Sequence, residues 1–264
     1  MRIQVAFLPQ LAASEPAARG ICIVIDILRA TTTLTTLLEY GAAGVIIAPH
    51  PDAAREEKWR DPDALLLGEI GGLRPADFDL GNSPHELSPA TVGGRRAICS
   101  TSNGTAAIRA VAGAPVVLLG CLRNATAVAE TAFALAQADE PPVTIVCAGG
   151  AGGRAFALDD TLVAGQLAAL IGAAAERAGV SAIFDDAAGA ALTLFRAEVG
   201  ATRLPATGAW EAALRRTTAG QHLTAIGLAE DIPFCAQFDT TMFVPVAQSA
   251  AERVTLAPAP SATR

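Results

Sequence analysis

The chain has 264 residues, 52% of them hydrophobic, and a formal net charge of -7; it is long and apolar enough for one large core and falls far from the disordered class. That acidity excludes a nucleic-acid partner, which needs a concentrated basic face, and no uninterrupted apolar run reaches the eighteen or so residues of a membrane span. The N-terminus, MRIQVAFLPQ, lacks the apolar stretch and cleavage site of a signal peptide, so the expectation is a cytoplasmic protein with no membrane partner.

Apolar runs at Ile3 to Leu8, Ile21 to Ile27, Val45 to Ala48, Ala64 to Gly68, Ala97 to Ser100, Val116 to Leu119 and Val143 to Ala148 predict strands. Helix-length segments near 30 to 40, 51 to 60, 104 to 112, 124 to 138 and 159 to 175 alternate with most of them. Apolar strands alternating with helices predict a three-layer α/β/α fold whose largely parallel sheet is covered on both faces. From about 176 the pattern turns more helical, with segments near 186 to 199, 208 to 215 and 218 to 228 and a last apolar piece, Met242 to Val246. The expected organisation is one α/β domain over 1–256, with room for a subdomain from about 176, and a disordered tail over 257–264.

Ligands of such folds gather at the carboxyl ends of strands, where Asp26, Glu69, Ser100 and Gly149 fall. In IVIDILRATTT, Ile23 to Thr33, a strand delivers Asp26, Arg29 and the hydroxyls of Thr31, Thr32 and Thr33 to the start of a helix. A helix N-terminus suits anions, and a carboxylate beside an anion site calls for a cation, which makes Asp26 a candidate ligand for Mg2+. The plainer reading is that the threonines cap the helix and Asp26 is a loop acid. Five cysteines without a CxxC pair and three histidines without paired spacing leave any metal site to oxygen ligands. All basic residues except Lys58 are arginine, which rules out a Walker A loop and leaves bidentate contacts to phosphate or sulfonate.

Four further segments carry candidate chemistry. GEIGGLRPADFDLGNSPHEL, Gly68 to Leu87, is a long irregular connection after a strand; Glu69, Asp77 and Asp79 are candidate cation ligands, and Arg74 and Asn82 candidate anion contacts, unless the segment is a surface loop. STSNGTAAI, Ser100 to Ile108, repeats the strand-to-helix turn with Asn103, Gly104 and Thr105, which is an anion cradle or a second helix cap. CAGGAGGRAFALDD, Cys147 to Asp160, reads weakly as a dinucleotide loop because no acid ends a strand about 20 residues on, and as a cysteine phosphatase loop it puts Arg154 one residue too far from Cys147. The preferred reading gives Arg154 and the glycine amides to an anion and Asp160, with Asp159 beside it, to a metal. GLAEDIPFCAQFDTTMFVPV, Gly227 to Val246, sets Asp231 and Asp239 around a proline turn that closes over a site or simply packs.

VIDILRATTT, GEIGGLRPADFDLGNSP, STSNGT, CAGGAGGRAFALDD and GLAEDIPFCAQFD, in that order over roughly residues 21 to 245, resemble the motifs of the 2-phosphosulfolactate phosphatase family. The resemblance implies a Mg2+-dependent phosphatase that cleaves 2-phospho-3-sulfolactate to 3-sulfolactate, a step of coenzyme M biosynthesis in methanogens. It implies a site built from Asp26, Arg29 and Asp160 as catalytic residues. Thr31, Thr32, Thr33, Asn82, Asn103, Gly104 and Thr105 would surround the substrate, and Asp26, Glu69 and Asp160 the Mg2+. The chain departs from the family pattern at Ile70 and Asp159, where a basic residue and Glu are expected.

Metal-bound water is the favoured nucleophile, with the Asp26 carboxylate and the Cys147 thiolate as alternatives. Asp26 as attacking group, in the manner of haloacid dehalogenase-type phosphatases, meets the difficulty that their second acid is here Leu28. The partner is a small anionic phosphorylated substrate, and a homodimer is left open. The competing functions are a non-catalytic binding or regulatory protein for an anionic metabolite and, more distantly, a dehydrogenase.

Overall fold

Every one of the seven apolar runs forms a strand in the computed structural model, which describes residues 1–12, 20–136, 141–200, 206–250 and 253–258. They are β1 (Arg2–Ala6), β2 (Ile21–Ile25), β3 (Gly44–Ile47), β4 (Leu65–Gly68), β5 (Arg96–Ser100), β6 (Val116–Gly120) and β7 (Val143–Cys147). β8 (Ile183–Phe184), β9 (Pro245–Ala250) and β10 (Arg253–Pro258) complete a ten-stranded sheet ordered β4-β5-β3-β10-β9-β6-β2-β7-β1-β8. Only β9 was signalled, by the apolar piece before it. β10 buries Val254 and Leu256 and pairs Ala257 and Pro258 with β9, so the strand runs two residues into the segment expected to be a disordered tail. The remainder of that tail, 259–264, lies outside the described residues.

Helices α1 (Pro9–Ala12), α2 (Ala30–Glu39), α3 (Pro51–Arg60), α4 (Pro89–Val92), α5 (Gly104–Ala110), α6 (Ala125–Ala136) and α7 (Leu158–Arg177) connect the strands. After α7 come α8 (Asp186–Glu198), α9 (Thr207–Arg216), α10 (Thr218–Ala225) and α11 (Asp231–Cys235). Because strand side chains alternate, β2 sends Ile21, Ile23 and Ile25 into the core under α6, α7 and α8, and Cys22 and Val24 into the core under α2 and α5. A strand buried on both faces is what a continuous apolar run predicts. The α/β/α layering follows from this double burial. α7 is apolar and long enough to cross a membrane, but 83% of its most apolar window is buried inside the protein, so its composition is that of a core helix.

The sheet has two parallel blocks, β4-β5-β3 and β6-β2-β7-β1-β8. Between them β10 pairs antiparallel with β3, β9 with β10, and β6 with β9. Three reversals make the blocks run in opposite senses. α2 and α5 lie in the core shared by both blocks, and their N-termini meet: a Cβ at Gly104 would overlap the Cβ of Ala30 and stand 2.8 Å from Asp26 Oδ2. Glycine at 104 is what lets the carboxyl ends of β2 and β5 share one site.

Candidate active site

At the end of β2 the chain turns tightly into α2 through residues 26–29. Asp26 Oδ1 accepts from the Ala30 N–H (3.1 Å), and the Thr31 hydroxyl donates to the Asp26 carbonyl (2.9 Å) while accepting from the Asp26 N–H (3.1 Å). The Thr32 hydroxyl donates to the Ile27 carbonyl, and that of Thr33 to the carbonyls of Arg29 and Asn82. All three threonines are fully buried. They tie the turn together and do not line a cavity, which corrects the expectation that they contact substrate.

The end of β5 repeats the device. The Thr105 hydroxyl donates to the Thr101 carbonyl (2.8 Å) and accepts from the Thr101 N–H (3.1 Å). Thr105 is therefore a brace for the turn, and Gly104 a point of close helix approach; neither lines the cavity. Asn103 does line it, and its Oδ1 accepts from the Gly152 N–H (2.8 Å), binding this turn to the glycine loop after β7. Glu69 accepts from the N–H (2.6 Å) and hydroxyl (3.1 Å) of Ser102 and from the Gly72 N–H (2.7 Å).

Between these turns lies a cavity of about 740 Å³ lined by Asp26, Arg29, Glu69, Asn82, Asn103 and Asp160 among the expected residues, together with Asp159. Asp160 is nearly closed off from solvent and accepts from the Ile27 N–H (3.0 Å) and the Gly149 N–H (3.1 Å), one bond to each carboxylate oxygen. It thereby joins the β2 exit to the β7 exit. Burial pushes the carboxyl of Asp26 up to about 6, with Glu69 adding repulsion, and that of Asp159 up to about 7, with Asp26 adding repulsion. Asp160 is raised well above the carboxylate range by burial and then by Asp159 and Asp26. Buried acids that raise one another favour a proton or a cation between them.

One part of the cavity lining was not foreseen. It comes from α10, through Thr218, Ala219, His222 and Leu223, and His222 Nε2 lies 3.1 Å from the Gly71 carbonyl. The one sequence signal was that histidines are scarce. Arg29 lines the cavity, yet its guanidinium is already engaged: Nη1 donates to Asp231 Oδ2 (2.6 Å) and Nη2 to the Gly72 carbonyl (2.7 Å). Asp231 also accepts from the Ser83 hydroxyl. The fork expected to span two anion oxygens instead clamps three segments of the chain.

Other expected residues stand elsewhere. Arg154 is exposed and outside the cavity, because the turn that begins at Gly149 carries it outward while its N–H donates to the Gly150 carbonyl. Asp77 pairs with Arg55 and Asp79 with Lys58, both on α3, and Arg74 donates to the Asp79 carbonyl. Asp239 accepts from the N–H and hydroxyl of Thr126 at the start of α6. The Cys147 thiol is fully buried and burial raises its pKa well above the usual range, which removes the thiolate nucleophile.

The donor set facing the cavity is hard oxygen: carboxylates of Asp26, Asp159 and Asp160, and the buried Asn82, whose Oδ1 has no partner among the described residues. Among the described residues no three Asp, Glu, His or Cys side chains converge closely enough to hold a metal by themselves. The expected three-carboxylate set of Asp26, Glu69 and Asp160 is therefore not assembled, since Glu69 is drawn aside to Ser102 and Gly72. Two carboxylates suffice for Mg2+, which usually keeps several waters and takes further oxygens from a phosphate. In that form the residues present fit the ion.

A family model described as 2-phosphosulpholactate phosphatase matches residues 6–250. A protein of Deinococcus radiodurans named "Probable 2-phosphosulfolactate phosphatase" is 40% identical over 246 residues, covering 93% of this chain and 92% of its own length. Proteins bearing the same name from Thermus thermophilus and Gloeobacter violaceus are 39% and 35% identical, each covering 93% of this chain and 94% of its own length.

Proposed function

The chain belongs to the 2-phosphosulfolactate phosphatase family, and from that membership and its acid-lined cavity we propose that it is a cytoplasmic, Mg2+-dependent phosphatase releasing phosphate from 2-phospho-3-sulfolactate or a similar small anionic hydroxy acid phosphate. One observation carries the reading: Asp26, Asp159 and Asp160 are buried and line one cavity, and Asp26 adds repulsion that raises the carboxyls of the other two. An acidic wall alone repels a phosphate ester. It becomes a phosphate site once a hard cation lies between.

Asp26 and Asp160 would hold the Mg2+, which when bound offsets charge on the phosphoryl oxygens and lowers the pKa of the attacking water. Asp160 keeps the β2 and β7 exits in register through Ile27 and Gly149. Asp159, whose carboxyl burial raises to about 7, is our choice for the group that passes a proton to the leaving alkoxide oxygen. Asn103 fixes the glycine loop against the β5 exit, so loop amides meet the phosphate without reorganising. The test is phosphate release from 2-phosphosulfolactate with Mg2+ and after EDTA. Release that EDTA abolishes supports the reading. Tight binding without release makes the chain an anion-binding protein instead.

A further inference from the structure

Resting on that reading, we propose that His222 is a specificity-determining residue: it receives the second anionic group, carboxylate or sulfonate, of a phosphate monoester whose phosphoryl group lies against the acids. Two cationic or cation-forming side chains line the cavity among the described residues, Arg29 and His222. Arg29 has its charge matched by buried Asp231 and its second terminal nitrogen on the Gly72 carbonyl. His222 has no carboxylate partner among the described residues.

A carbonyl oxygen can only accept, so the 3.1 Å contact with Gly71 fixes the Nε2 atom of His222 as the protonated one. That leaves Nδ1 as the ring atom for a second contact, which as an N–H would donate to an anion. The helix orients the ring: Thr218, Ala219, His222 and Leu223 follow the i, i+1, i+4, i+5 pattern of a single face, and all four line the cavity. The same contact pins the turn at Gly71 and Gly72, whose φ values of 60° and 89° suit glycine. Gly72 in turn holds Glu69 and Arg29. His222 thus lines the same cavity as the acids and is tied through one glycine turn to Glu69 and Arg29.

The experiment compares kcat/KM for 2-phosphosulfolactate and for phenyl phosphate, which has no second anion, in the Mg2+-loaded wild type, His222→Gln and His222→Ala. Glutamine keeps a donor for the Gly71 carbonyl and loses the charge. The proposal expects the ratio of the two kcat/KM values to fall about tenfold or more in both variants, mainly through KM for the sulfonated substrate, since a hydrogen bond to a charged group is worth roughly that factor or more. Equal losses on both substrates, or a ratio restored by glutamine, would assign His222 to fixing the turn and overturn the proposal. Wild type that releases no phosphate from either substrate overturns the phosphatase reading itself, a result distinct from hydrolysis with an unchanged ratio.

Discussion

The exits of β2 and β5 use the same threonine device in turns of different length and content, Thr31 standing five residues after Asp26 and Thr105 four after Thr101. In each, a threonine hydroxyl donates to the carbonyl and accepts from the N–H of the first turn residue, Thr31 with Asp26 and Thr105 with Thr101. The β2 turn presents a buried carboxylate, Asp26, and the β5 turn a neutral amide, Asn103. The shared threonine device therefore reports architecture, and the chemistry resides in what each turn presents to the cavity, a carboxylate at the first position of one and an amide at the third position of the other. The largest test of this contrast is substitution of the presented residue in each turn. Asp26→Asn is predicted to lower kcat by about a thousandfold, since it removes charge facing the metal and phosphoryl group. Asn103→Ala is predicted to lower it by about tenfold, through a loosened Gly152 loop. Steady-state phosphate release checks both, and equal losses would erase the distinction.

The same contrast appears in pH dependence. Asp26 and Asp159 titrate near 6 and 7 in the folded protein, both raised mainly by burial, whereas an unfolded Asp titrates near 4. Between about pH 4 and 7 the folded state binds more protons than the unfolded one, so the metal-free protein loses stability as pH rises through that window. The thermal midpoint in EDTA is predicted to fall across it, and less steeply in Asp159→Asn. Added Mg2+ is predicted to restore the midpoint at pH 7. A midpoint that rises with pH over this range in EDTA would contradict the burial argued for these acids.

Seven strands, eight of the helices and the strand ends carrying the acids were legible because apolar runs and helical periodicity are local signals. β8, β10, α1, α4 and α11 were not. β8 is two residues long, β10 earns its place by pairing between β3 and β9, and α11 is fixed by the ion pair of Asp231 with Arg29, 202 positions earlier. The threonines were misread for a related reason. Their composition suits an anion, but whether a hydroxyl faces a ligand or its own loop is decided by backbone geometry. His222 was illegible as a cavity residue, because only the packing of α10 brings it to Gly71.

If the two turns share architecture, breaking it should cost stability equally. Thr31→Val and Thr105→Val each remove a buried hydroxyl that makes two backbone bonds, and each is predicted to lower stability by about 1–3 kcal/mol. At roughly 2–4 °C per kcal/mol for a chain near this length, differential scanning calorimetry resolves both. Gly104→Ala falls in the same range, since its new Cβ would overlap Ala30 and crowd Asp26. A loss at Thr31 several times that at Thr105 would mean the β2 turn depends on more than the shared bonds.

The smallest predicted effect concerns the residue whose sequence context promised most. Arg154 follows the five glycine and alanine residues from Gly149 to Gly153 and was expected to grip the phosphate beside Asp160. Its side chain is exposed, it stands outside the cavity, and its backbone N–H closes the turn on Gly150. Arg154→Ala should therefore change kcat/KM by less than about twofold, the range of a surface substitution away from special features. The loop's contribution comes from its backbone, which Asn103 and Asp160 already hold, and alanine leaves that backbone in place. A loss of tenfold or more, with an unchanged thermal midpoint, would mean that the loop closes around the ester and carries Arg154 inward. In that case the β7 exit would join the β2 exit as a source of ligand-facing charge.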